Sequence, residues 1–114
     1  MLCSPLKCVP ASIMVQGLTA MLLRGTGMQV VFHCATAAPV VQNTSARAVM
    51  QAVNVAGTRN VIDACIKHGV AKLVYTSSSS VVFEGRDLVD VDESIPLATR
   101  PIDFYAATKV WRPP

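Results

Sequence analysis

Tyr105 and Lys109 stand four residues apart in Tyr105-Ala106-Ala107-Thr108-Lys109, a spacing that puts both on one face of a helix. A tyrosine hydroxyl has a reference pKa near ~10, too high for an efficient base at neutral pH. A neighbouring ammonium favours the phenolate, so this pair of residue types suits a general acid/base. About two dozen residues upstream lies a hydroxyl run, Thr76-Ser77-Ser78-Ser79-Ser80, at the end of an apolar segment. A serine hydroxyl set beside the phenol could hydrogen-bond a substrate oxygen. Together the three groups suit proton transfer to or from an alcohol or a carbonyl. By itself the Tyr/Lys spacing also describes a surface tyrosine beside a solvated lysine, so the elements that carry these residues decide between the two.

Met28 to Cys34 is a near-continuous β-branched and aromatic run, the pattern of a strand buried on both faces. Small residues follow, Ala35-Thr36-Ala37-Ala38-Pro39. At the carboxyl end of a strand they allow a ligand to approach closely, and they serve a tight turn equally well. Asn43, Thr44 or Ser45 can cap a long helix running to about His68, with Gly69 just past its end. Its packing stripe is Met50, Val53, Gly57, Val61, Ala64 and Cys65, and Gly57 inside the helix predicts a close backbone contact. Lys67 and His68 suit the negative end of the helix dipole.

Val70 to Ser77 reads as a second buried strand, so strand, long helix and strand form a βαβ unit with a parallel sheet. The serine run then falls on the same sheet edge as Ala35. Val81-Val82-Phe83 reads as a short extended piece, and Glu84 to Ile95 as an acidic loop. Asp103 can cap the helix that carries Tyr105 and Lys109, and Pro113-Pro114 halts that helix after about two turns. Ahead of the unit, residues 1–27 read as an irregular segment plus a short helix over Ile13 to Leu23, a packed amphipathic helix rather than a leader. The apolar run there is too short to span a bilayer. Gly25-Thr26-Gly27 has a helix-like segment before it and Val30 where a phosphate loop needs a third glycine, so it reads as a turn.

Composition limits the remaining functions. Of 114 residues, 52% are hydrophobic and only 15% charged, which is apolar for a free-standing domain of this size and suggests a face hidden against further structure. The net charge is +3, yet the bases stand singly and without interleaved aromatics, so no nucleic-acid partner is expected. Cys3, Cys8, Cys34 and Cys65 make no C-x-x-C pair and no zinc set with His33 and His68. Cys34 and Cys65, in apolar surroundings, read as buried thiols of a reducing compartment.

Four ordered stretches resemble the extended short-chain dehydrogenase/reductase family: Val31-Phe32-His33-Cys34-Ala35, Asn54 to Val61, Tyr75-Thr76-Ser77-Ser78, and Tyr105 to Lys109. Ser80 to Gly85 and Arg100 to Tyr105 resemble its 3β-hydroxysteroid dehydrogenase branch, nearest to sterol-4α-carboxylate 3-dehydrogenases. The resemblance covers roughly residues 28–110 and implies part of an NAD(P)-binding Rossmann domain over 28–114. It implies oxidation of a sterol-like secondary alcohol with NAD or NADP. By position, Tyr105 matches the catalytic acid/base, Lys109 the residue that assists it and holds the nicotinamide ribose, and Ser78 the hydroxyl that orients the substrate. Ala35, Thr76, Tyr105 and Lys109 match cofactor-lining positions, and Asn54 matches the family's helix asparagine.

The same resemblance has no match here for the Gly-rich strand, turn and helix that bind pyrophosphate, nor for the acidic residue that reads the ribose. The chain is therefore expected to be a fragment, inactive in isolation, whose first strand shows an unpaired edge and an uncovered apolar face. Nucleotide-sugar epimerases and flavonoid-alcohol reductases of the same family are alternatives, although Val82-Phe83-Glu84-Gly85 disfavours the epimerases. A non-catalytic module pairing through the 45–68 and 103–110 helices is another. The family places the chain in the cytoplasm or on the cytosolic face of the endoplasmic reticulum.

Overall fold

A computed structural model describes residues 27–38 and 44–110. The helix expected over Ile13 to Leu23, Cys3, Cys8, the Gly25-Thr26 half of the turn, the Asn43 cap and the terminal Pro113-Pro114 stop lie outside these residues. Elements follow in the order β1 (Val30–His33), α1 (Thr44–Met50), a π-helical stretch (Gln51–Gly57), α2 (Thr58–Lys67), β2 (Lys72–Tyr75), a 3-10 turn (Ser79–Val82) and α3 (Phe104–Lys109). Residues Met50, Gly57 and Thr58 all keep right-handed helical dihedrals, so 44–67 is one continuous rod. Gly69 closes it at φ 67°, a left-handed conformation that glycine adopts without a Cβ clash, while the backbone N–H of His68 donates to the Ala64 carbonyl.

The strands pair in parallel, as the βαβ pattern predicts, with Val31 opposite Leu73 and His33 opposite Tyr75. Period-two alternation sends these four residues to one face. Against that face α2 packs Val61, Ala64 and Cys65, joined by Met28, Val31, Val70 and Leu73. Fully burying a valine such as Val61 contributes on the order of 1.5–3 kcal/mol, so this small cluster is the main tie between helix and sheet.

The strands are not buried on both faces. Phe32 is 65% exposed and Val74 46% exposed on the side away from α2. The reason is that among the described residues the sheet has only two strands, and the rod covers just one side. The exposed Cys34 corrects the expectation of a buried thiol: it lies one residue past β1, where the helix no longer shields the chain. Cys65 is buried as expected.

Two further expectations change. Val81 and Val82 are not extended but belong to a 3-10 turn, because Ser78 caps the turn and accepts from the Ser80 N–H at 3.3 Å; Phe83 just past it is extended as expected. Among the described residues Gly57 makes no close backbone approach, since a Cβ there would meet the Ala52 carbonyl at an ordinary 3.5 Å. The acidic loop is closed at its ends by Glu84, whose Oε1 accepts from the Thr99 N–H at 2.6 Å and the Thr99 hydroxyl at 3.0 Å. Those bonds hold the Glu84 carboxyl below its ordinary value. Asp103 caps α3 as predicted, accepting from the Ala106 N–H at 2.7 Å.

Candidate functional site

The site lies where the carboxyl ends of β1 and β2 meet α3. The Thr76 N–H continues the parallel ladder by donating to the His33 carbonyl at 3.1 Å. Beyond that point the two strands run into Ala35 and the serine run, as the βαβ reading requires.

Lys109 is the centre of this region. It is 3% exposed, and its Nζ donates to the Thr76 carbonyl at 2.8 Å. The same ammonium stands 4.8 Å from the centroid of the Tyr75 ring, inside the range of a cation–π contact. Burial pushes its pKa down, and the nearby Cys34 thiol partly offsets this. No carboxylate appears among these contacts. The cation is held by a carbonyl dipole and an aromatic face instead.

Ser77 ties the helix to the sheet from the other direction, its hydroxyl donating to the Lys109 carbonyl at 3.1 Å. Ser78 is half-buried, and its Oγ meets the Ser80 Oγ at 2.9 Å. Tyr105 is half-buried on the first turn of α3. Burial pushes the Tyr75 phenol up, the Thr58 hydroxyl draws it partly back, and the neighbouring Tyr105 adds a smaller push upward. Ala35 is half-buried beside the exposed Thr76, whose hydroxyl donates to the Cys34 sulfur at 3.3 Å.

Asn54 fixes the distance between the rod, the loop after β1 and α3. Its Oδ1 accepts from the Ala37 N–H at 2.8 Å and the Thr36 hydroxyl at 3.3 Å. Its Nδ2 donates to the Ala37 carbonyl at 3.0 Å and to the Thr108 hydroxyl at 2.9 Å. The Thr108 hydroxyl in turn donates a hydrogen bond to the Tyr105 carbonyl at 2.7 Å. One buried amide thus braces the helix that presents Tyr105 and Lys109. Asn54 lies inside the π-helical stretch, where the wider turn carries it.

Reading the sequence alone did not single out Tyr75 or Thr108. The signal for Tyr75 is the alternation itself, because it shares the inward face with Leu73. For Thr108 it is the position next to Lys109 on a short helix. Among the described residues no group of three or more His, Cys, Asp or Glu could hold a metal ion. No helix among them is long and apolar enough to cross a membrane.

A parallel strand–helix–strand unit, with a Tyr/Lys helix braced across its carboxyl edge, is part of a Rossmann-type domain of the short-chain dehydrogenase/reductase class. A solved protein of that superfamily from Agrobacterium tumefaciens, with bound NAD, superposes with a TM-score of 0.72 at 31% identity, over 85% of this chain and 28% of its own. The 3-beta hydroxysteroid dehydrogenase/isomerase family matches residues 19–111, and the chain belongs to that family. The sterol-4-alpha-carboxylate 3-dehydrogenase, decarboxylating, of Bos taurus is 46% identical over 84 residues, 74% of this chain and 23% of that protein. The 3beta-hydroxysteroid-dehydrogenase/decarboxylase isoform 1 of Arabidopsis thaliana is 48% identical over 84 residues, 73% of this chain and 18% of that protein. The chain therefore spans less than a quarter of the length of these curated relatives.

Proposed function

We propose that this chain carries the proton-transfer side of an NAD(P)-dependent oxidoreductase acting on the CH–OH group of a 3β-hydroxysteroid or sterol. The observation that carries the reading is the buried Lys109 ammonium, held at the open edge of a parallel sheet by the Thr76 carbonyl and the Tyr75 ring. An ammonium has three N–H donors, and among the described residues one is given to Thr76. The other two suit the hydroxyls of a ribose, so the donor chemistry fits the nucleoside end of a nicotinamide cofactor. Lys109 and Tyr105 would hold that end, with the small Ala35 and the Thr76 segment beneath it. When bound, NAD or NADP would supply the hydride acceptor for oxidation of the carbinol carbon.

Tyr105 accepts the hydroxyl proton of the alcohol as the carbonyl forms, and Ser78 hydrogen-bonds the same oxygen. Lys109 keeps a positive charge one helical turn from the base. The names of the relatives support a sterol as the substrate class, and with it goes our reading that the chain works in the cytoplasm or on the cytosolic face of the endoplasmic reticulum.

The test is a transplant. The aligned 84-residue segment of the bovine relative is replaced by the corresponding residues of this chain, and formation of reduced nicotinamide on a 4-carboxysterol is followed. The chimera is expected to turn over, and Tyr105→Phe to slow it by about 10²–10⁴-fold, the usual worth of a positioned acid/base. A chimera that binds NAD and works equally well with phenylalanine at this position would overturn the reading.

A further inference from the structure

Tyr75 sits where three elements meet. Its ring receives the Lys109 ammonium from α3 at 4.8 Å. On β1, the His33 ring lies 5.5 Å away at a 36° tilt. The Thr58 Oγ1 on α2 meets the His33 Nε2 at 2.9 Å, and the same hydroxyl draws the Tyr75 phenol down against the burial that raises it. The ring is therefore flanked by an imidazole that Thr58 holds in place. What remains of that ring is a π surface, and the lysine rests on it.

We propose that Tyr75 is the positioning residue for Lys109: its ring face seats the ammonium and holds it in the charged form at the sheet edge. A buried cation without a carboxylate loses hydration and must recover that cost from dipoles and quadrupoles. The Thr76 carbonyl is one such source and the Tyr75 face is the other. The remaining titratable groups facing Lys109 are His33 and Cys34 at the end of β1. Tyr105 is on its own helix. No carboxylate is among these groups. The ring thus selects both where the amine lies and how readily it keeps its proton. Its bearing on catalysis rests on the function proposed above, but the contact is testable without turnover.

The experiment replaces Tyr75 by phenylalanine and then by mono-, di- and trifluorophenylalanine in the full chain. Successive fluorines drain the ring face of negative potential while barely changing its size, so the fold is kept. The Lys109 side-chain resonance, assigned by its loss in Lys109→Met, is titrated by NMR in isotope-labelled protein. The amine pKa is expected to fall stepwise along the series, by roughly 0.4–1.5 units in total, the worth of a cation–π contact. Lys67 and Lys72 are expected not to move. A flat series, or an equal drift at all three lysines, overturns the proposal. A stepwise fall combined with a transplant indifferent to Tyr105→Phe would leave this contact standing while removing the dehydrogenase reading.

Discussion

The Nδ2 of Asn54 donates to the Thr108 hydroxyl at 2.9 Å, joining residues 54 positions apart in the chain. Through the Thr108 bond to the Tyr105 carbonyl, this amide sets the height of α3 above the sheet. Asn54→Ala removes the partner of the half-buried Ala37 N–H and carbonyl and the donor that the buried Thr108 hydroxyl accepts from. An unsatisfied buried group costs about 1–3 kcal/mol, so the loss should approach the upper end of that range. Thr108→Val keeps the shape and removes a single hydroxyl, which accepts from Asn54 and donates to the Tyr105 carbonyl; Asn54 keeps its bonds to Ala37, so this variant should cost distinctly less. Denaturant unfolding of both variants reads the difference, and equal midpoints would contradict the bracing role.

His33 is held neutral in the fold. Burial lowers its pKa below 6.5, and the positive charge of Lys109 lowers it further. The unfolded chain takes up a proton near pH 6.5, whereas the folded chain resists until a lower pH. Between those values the unfolded state binds more protons, so stability falls as pH falls and is unaffected above neutrality. His33→Gln retains a partner for Thr58 and removes the titration. The wild type should therefore lose stability relative to this variant between about pH 7 and 5. Glu84 and Asp92, both lowered by hydrogen bonds, add acid sensitivity only below the ordinary carboxylate range. Thermal melts of the two proteins across this range check the sign.

How much of this was legible beforehand depends on the range of each interaction. The strand, rod and strand order follows from local pattern, as does the Asp103 cap, because one side chain and one turn decide it. The Ser79–Val82 turn was hidden, since Val81-Val82-Phe83 has strand propensity and only the Ser78 cap overrides it. Tyr105 and Lys109 advertise themselves by spacing. The groups that hold Lys109 in place come from β2, and no spacing on α3 points to them. Cys34 looked buried because its neighbours are apolar, yet its exposure is set by where the rod stops covering the sheet.

The four cysteines offer a direct reading of that boundary. In a Cys3→Ser, Cys8→Ser background, Cys34 is exposed and Cys65 buried beneath α2. One thiol should react with a maleimide in the folded chain, and the second only on adding denaturant. Mass spectrometry of the labelled peptides identifies which is which. Early labelling of Cys65 would place α2 off the sheet.

Gly57 gives a prediction of opposite sign to most core changes. Its Cβ position is open at ordinary van der Waals distance from the Ala52 carbonyl, and its dihedrals are helical. Glycine costs a helix interior about 1 kcal/mol relative to alanine. Gly57→Ala should therefore leave stability unchanged or raise it by up to that amount in thermal unfolding. A marked loss would mean that another backbone does approach this point.

Phe32 tests the outer face of the sheet. It is 65% exposed between Val30 and Val74, which are 38% and 46% exposed, so its ring contributes little to the packed side. Exchanging a surface residue away from caps and buried networks changes stability by about 0.5 kcal/mol or less. Phe32→Thr exchanges an aromatic strand former for a β-branched one, so strand propensity stays high, and it removes the largest apolar group from a face that invites association. The variant should unfold at nearly the wild-type midpoint while staying monomeric to higher concentration in analytical ultracentrifugation. A loss of stability as large as that of a core truncation would show that Phe32 is covered in solution, and would move the boundary of the core to both sides of the sheet.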